Sequence, residues 1–170
     1  NKGGQFRKWY GNTDYVINYE NDGAEVKNNA KKLYNSVTRT IKSISEYFKD
    51  CISWSKISSG NIAFRYYPQG FIFDVAGCCI FYKNKELMYY HCAFLNSIIA
   101  KTILEMISPT LNYEAGQIAT LPIIYDEKYL EEVNSIVLQN IEISKKDWDQ
   151  FETSWDFNKH PLVCCNEKTI

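Results

Sequence analysis

Apolar residues recur at Val26, Ala30, Leu33, Val37, Ile41, Ile44 and Phe48, in steps of three and four. That spacing predicts a helix face from Glu25 onward, and its frequent Asn and Thr residues predict a break in the middle. Just upstream, TDYVINY (13–19) alternates enough to predict a short strand, closed by the turn Asn21-Asp22-Gly23. Downstream the signal changes to short extended runs. Strands are predicted over residues 51–57, 62–67, 71–75 and 78–82, with SSGN, PQG and AG between them, and two tight hairpins are the simplest connection. Residues 86–107 read as one long, mostly buried helix ended by Pro109. A second helix is predicted over 127–144, with Leu130, Val133, Val137 and Ile141 on its apolar face and Asp126 as N-cap. In KKDWDQFETSWDF (145–157), Trp148, Phe151 and Trp155 are spaced as on a short helix that docks by its rings. The order helix, sheet, helix, helix around one core predicts an α+β fold. The expected architecture is a small antiparallel or mixed sheet of short strands packed with two to three helices. It forms a single domain over residues 1–157, with 158–170 as a C-terminal tail.

Composition narrows this only slightly. A chain of 170 residues with 45% apolar and 23% charged residues can build one ordinary core. The net charge of −1 excludes a globally basic protein but conceals an asymmetry. Residues 1–60 hold ten Lys/Arg against six Asp/Glu, and residues 126–157 hold three against nine. The positive end suits a polyanion. The apolar stretch 87–107 is interrupted by His91, Asn96, Lys101 and Glu105, which suits a buried helix better than a membrane span. No signal peptide is visible and no membrane partner is expected, so the expected location is the cytoplasm. The chain opens at Asn1 on NKGGQFRKWYGN, which reads as the inside of something longer.

The chemistry-bearing motifs of a catalytic domain are missing from this stretch. No two glycines form a G-x-G pattern that would cradle a dinucleotide or AdoMet, and no P-loop or H-E-x-x-H occurs. The prolines, at 68, 109, 122 and 161, form no Asn-Pro-Pro-aromatic motif of the kind that holds a flipped base for amino methylation. His91 and Cys92 are adjacent on a helix and point about 100° apart, so they do not make a catalytic pair. A packed, satisfied His91 is the reading. Cys51, Cys78, Cys79, Cys92, Cys164 and Cys165 read as free thiols used as small hydrophobes. Zinc at Cys78, Cys79, His160 and Cys164 is disfavoured, because adjacent cysteines rarely both reach one tetrahedral centre. No catalytic residue, cofactor or metal is expected in this chain.

The stretch SWSKISSGNIAFRYYPQGF (53–71) mixes rings, cations and small hydrogen-bonding side chains. Lys56 and Arg65 can neutralise phosphates, and Arg65 can also fork onto guanine. Ser55, Ser58, Ser59 and Asn61 can donate to phosphates or base edges. Trp54 and Tyr67 can stack or wedge. Arg7 and Lys8, between Phe6 and Trp9, repeat the mixture. These ten residues are the expected contacts to duplex DNA. Strand alternation places Arg65 and Tyr67 on one face and Phe64 and Tyr66 on the other, and the Arg65 face is expected to be exposed and positive with Lys56.

Five segments occur here in one order: GGQFRKWYGNTDYVINYENDG, SWSKISSGNIAFRYYPQGFIFDVAGCCIF, FLNSIIA, SPTLNYEAGQIATLPI and DWDQFETSWDF. Together they resemble the C-terminal part of PglX-type adenine-specific DNA methyltransferases of bacterial phage-exclusion (BREX) systems. More loosely, they resemble the TaqI-like C-terminal specificity domains of type II restriction-modification enzymes. The likeness spans residues 3 to about 162, and residues 24–46 match least. The resemblance implies a target-recognition domain whose partners are double-stranded DNA and an N-terminal methyltransferase domain of the parent chain. That other domain would hold AdoMet and methylate adenine N6. The other reading open at this point is a protein-interaction module docking through Trp148, Phe151 and Trp155.

Overall fold

A computed structural model describes residues 1–58, 60–108 and 110–164. The element order is α1 (Glu20–Tyr34), β1 (Cys51–Ser55), β2 (Phe64–Tyr67), β3 (Gly77–Ile80), α2 (Lys85–Leu95), α3 (Ile98–Ile107), α4 (Ala115–Ala119), α5 (Leu130–Trp148) and α6 (Pro161–Cys164). The fold is α+β: three antiparallel strands in the order β2-β1-β3, with helices packed on one face.

The strand alternation divides the sheet into two unlike faces. Ile52, Trp54 and Phe64 point into the core, which α2, α3, α4 and α5 complete with Met88, Cys92, Leu95, Ala100, Leu104, Ile118, Val137 and Ile141. The opposite face carries Cys51, Ser53, Ser55, Arg65, Tyr67 and Cys79, paired across strands as Cys51 with Tyr67 and Ser53 with both Arg65 and Cys79. This face is also sealed, by residues 1–12 running over it as a strap. Asn1 donates to Ser53 Oγ at 2.5 Å, Ser55 Oγ donates to the Gly4 carbonyl at 2.8 Å, and the Tyr67 hydroxyl lies 3.1 Å from the carbonyls of Gly11 and Asn12. Gly11, at φ +120°, has no room for a Cβ, which would fall 2.6 Å from the Arg7 side chain.

The strap also pairs with the free edge of β2. Trp9 N–H donates to the Phe64 carbonyl and Tyr66 N–H to the Trp9 carbonyl. Asn96, at the junction of α2 and α3, reaches the same strand: Phe64 N–H donates to its Oδ1 at 3.1 Å, and its Nδ2 donates to the Phe64 carbonyl at 3.0 Å.

Several expected elements differ. Residues 13–19 form no strand, because Gly11 and Asn12 take positive φ after the Trp9 pairing and turn the chain off the sheet edge. Asn21, Asp22 and Gly23 inside α1 take the left-handed φ and ψ of the expected turn, and the right-handed helix follows Gly23; it stops at Tyr34 on a left-handed Asn35, so the break expected in the middle of the long apolar pattern is real. Residues 71–75 are irregular, and β3 instead follows an Asp74 turn that accepts from Ala76 and Gly77 N–H. The single helix expected over 86–107 is two, because Ser97 caps α3 through Ala100 N–H. Asp126 caps a 3-10 turn, Glu127–Tyr129, accepting from Lys128 N–H; α5 follows from Leu130 without a side-chain cap of its own and runs on to Trp148, so residues 145–148 belong to it. Residues 161–164 of the expected tail form a helical turn. Among the described residues no helix is long and apolar enough to cross a membrane. Cys51, Cys78, Cys79 and Cys92 are free thiols; the Cys164 side chain and Cys165 lie outside the described residues.

Two outcomes follow. Asn96→Ala strips both Phe64 backbone groups of a partner inside the core and should cost about 2–4 kcal/mol in urea unfolding. His91 packs its ring on Tyr82, with Nδ1 3.1 Å from the hydroxyl, and burial pulls its pKa below the ordinary 6.5. The unfolded chain therefore binds the proton more readily, and stability should fall as pH drops from 6.5 toward the folded pKa. His91→Gln should flatten that part of a stability-against-pH curve.

Candidate nucleic-acid interface

The ten expected contact residues separate into an interior set, a docked pair and an exposed loop. Trp54 is fully buried and gives its indole N–H to the Tyr113 carbonyl at 2.9 Å. Ser55 is buried under the strap. Tyr67 is 1% exposed, and burial pushes its phenol up to about 12. Arg65 is also 1% exposed. Alternation does put it on the face of Tyr67, but that face lies beneath residues 1–12. Its guanidinium reaches Ser55 Oγ at 3.2 Å and the Arg7 carbonyl at 3.4 Å, and its Nε has no partner. No carboxylate pairs with it among the described residues. The expectation of an exposed Arg65 face shared with Lys56 is therefore corrected: Trp54, Ser55, Arg65 and Tyr67 are interior, and none can touch DNA in this conformation. The alternating pattern identified the face and carried no signal that a distant strap covers it.

Arg7 and Lys8 hold the strap in place. Arg7 pairs with Asp147 and stacks 5.0 Å over the Trp148 ring. Lys8 Nζ donates to the Asn96 carbonyl at 2.8 Å, at the C-terminal end of α2, where the helix dipole favours a cation. Both are half-buried and already engaged.

The exposed remainder is the β1–β2 loop. Lys56 pairs with Glu114 at 3.0 Å, Ile57 is exposed, and Asn61 is exposed beside Gly60. Ser58 donates to the Asn61 carbonyl at 3.1 Å. Ser59 lies outside the described residues. The loop is braced from below: Ser58 N–H donates to the Leu111 carbonyl and Tyr113 N–H to the Lys56 carbonyl.

A stronger cationic surface lies elsewhere. Lys31 and Lys32, in the last turn of α1, and Arg39 and Lys42, in the loop after it, are all exposed. None makes a salt bridge among the described residues, whereas Lys27 and Lys49 pair with Asp22 and Glu46. The excess of positive charge in residues 1–60 pointed here, but the charge count alone could not separate these lysines from Arg7 and Lys8. At the acidic end, Lys145 bridges Asp149 and Asp156, Trp148 is buried under the strap, and Phe151 and Trp155 are exposed.

Substitutions at the two central cations of the β1–β2 stretch should behave oppositely. Arg65→Ala leaves a cavity and should cost about 2–5 kcal/mol. Arg65→Met fills similar volume without an unpaired charge and should be neutral or stabilising. Lys56→Ala should stay within about 0.5 kcal/mol of the parent. Chemical denaturation of the three proteins checks all of this.

No protein-family model matches the chain. Over nearly its whole length it is similar to two curated proteins. It is 40% identical over 164 residues to the adenine-specific methyltransferase BrxX of Escherichia coli O9:H4 (strain HS). It is 37% identical over 163 residues to the adenine-specific methyltransferase PglX of Lacticaseibacillus casei (strain Zhang). The matches cover 95% and 96% of this chain, and the chain spans 13% of the length of each relative. The chain is thus related to a segment of adenine-specific methyltransferases.

Proposed function

We propose that this chain is the DNA-recognition domain of an adenine-specific (N6) DNA methyltransferase of a phage-defence system. It binds duplex DNA and positions it for a separate catalytic domain that holds AdoMet. Similarity along the whole chain supports the methyltransferase context. The absence from its sequence of an Asn-Pro-Pro-aromatic motif and of a glycine-rich AdoMet loop supports a non-catalytic share in that work.

The observation that carries the DNA reading is the set of exposed cations without a carboxylate partner, Lys31, Lys32, Arg39 and Lys42, on α1 and its following loop. Four exposed cations on one short stretch of chain can follow a phosphate backbone. The β1–β2 loop, with Lys56, Ser58, Ser59 and Asn61, is the remaining candidate for reading base edges. It is polar and carries Gly60, beside which no atom would obstruct close approach.

A second reading, a module that docks another protein, is favoured by the exposed rings of Phe151 and Trp155. Salt separates the two. With about four phosphate contacts, log K for a duplex should fall against log salt with a slope near −3.6. Reversing Lys31 and Lys32 to Glu should weaken binding to all sequences and flatten that slope by about 2. Binding that is unchanged by salt and by these substitutions would favour the protein-partner reading. The same titration with labelled AdoMet should show no methyl transfer by this chain alone.

A further inference from the structure

Only one side of α3 is buried. Ala100 and Leu104 enter the core, and α2 and α4 pack on the helix. At about 100° per residue, Ile98, Thr102, Met106, Ile99, Ile103 and Ile107 follow one another around the other half. No charged residue interrupts that arc. Lys101 and Glu105 stand at its edge and pair with each other at 3.7 Å, so the edge is close to neutral. Ile98, Ile99 and Met106 are 71%, 59% and 76% exposed. A surface helix turns its polar side to water, whereas α3 is aliphatic on both sides and has nothing over the outer one among the described residues. Beside it α4 exposes Ala115, Gly116 and Ala119, which leave room for close approach. A continuous aliphatic surface of this kind marks a place that another protein body covers.

Two observations select that body. This segment makes up 13% of the length of each relative, so in those proteins most of the polypeptide lies outside it and is present at high effective concentration. The end of α3 is also tied to the β1–β2 loop. Ser108 Oγ donates to the Asn112 carbonyl at 2.7 Å, Ser58 N–H to the Leu111 carbonyl at 3.0 Å and Tyr113 N–H to the Lys56 carbonyl at 2.7 Å. A body seated on α3 is therefore held in register with the loop assigned to base edges. A catalytic domain needs such a register, because a small misplacement of the reacting base is costly in rate. The exposed rings of Phe151 and Trp155 stand among Asp149, Glu152 and Asp156 and suit an apolar partner less well.

We propose that the outer face of α3 docks the AdoMet-holding catalytic domain of the same methyltransferase chain. The inference rests on the reading of this chain as the recognition domain of such an enzyme, and deepens it by naming the surface that joins the two.

The chain has two methionines, and they supply the test: Met106 lies on the proposed face and Met88 is 1% exposed in the core. Oxidation by dilute peroxide without DNA, followed by mass spectrometry, should run about tenfold faster at Met106 than at Met88 in this chain alone. In the whole methyltransferase Met106 should slow toward the rate of Met88. A benzophenone side chain placed at Thr102 of the whole enzyme should crosslink to the domain that holds AdoMet. Ile98→Gln combined with Ile99→Gln alters exposed positions and no charge. It should leave the melting temperature of this chain and its duplex affinity within about twofold, and restore Met106 oxidation in the whole enzyme. Met106 that reacts as fast in the whole enzyme as in this chain overturns the inference. So does protection in this chain alone that grows with its concentration, which would mean a second copy. A crosslink to any other part of the polypeptide, or protection that survives the double substitution, overturns it too. Failure of this chain to bind duplex would overturn the DNA reading alone, because the oxidation and the crosslink are read without DNA.

Discussion

Phe64 ties the fold together through its backbone. Its carbonyl accepts from Trp9 N–H and from Asn96 Nδ2, and its N–H donates to Asn96 Oδ1, while the strand pairs with β1 on the other side. One residue of β2 thereby joins the strap, the sheet and the break between α2 and α3. Its ring is also fully buried in the core beside Trp54. With that edge occupied, the strap must cross the polar face of the sheet, and the geometry of that face follows. Ser53, Ser55, Arg65 and Tyr67 all receive partners from residues 1–12 or from one another. Arg65 is the costly member. A guanidinium without a carboxylate is a poor way to gain stability, and its hydrogen bonds to Ser55 and the Arg7 carbonyl offset only part of the desolvation.

Much of this was legible in the sequence where the signal was local. The α+β class, the β1–β2–β3 region, the Leu130 helix, the Asp126 cap on the 3-10 turn that leads into it, and the opposed faces of Arg65 and Phe64 all follow from spacing and capping over a few residues. The missed features depend on contacts distant in sequence. The strand expected over 13–19 has good alternation, but the β2 edge that residues 1–12 run along is already taken by Trp9. The single helix expected over 86–107 breaks because Asn96 is needed by Phe64, 32 residues earlier in the chain. Arg65 and Tyr67 looked like a cationic, aromatic recognition pair because nothing nearby indicates that residues 1–12 return over them. Aromatic and basic interleaving marked a buried polar face as readily as it would mark a binding face.

The functional account moves outward as a result. The sheet supplies rigidity, and Arg7 on Trp148 and Lys8 on the end of α2 hold the strap to the helical layer. What remains to meet a polyanion is the positively charged end of α1, its following loop and the β1–β2 loop. These are surfaces built on short, irregular segments over a braced scaffold, the usual place for recognition. The acidic charge of residues 126–157 is partly neutralised by Lys145 and Arg7 and lies on and after α5.

The central claim is that DNA is met by these outward cations and not by the hairpin's buried face. Lysine acetylation read by mass spectrometry, with and without a saturating duplex, tests it most directly. The account predicts that duplex protects Lys31, Lys32, Lys42 and Lys56, while Lys128, Lys146 and Lys159 react as fast as in free protein. Uniform reactivity, or protection confined to the lysines of residues 128–159, would contradict it.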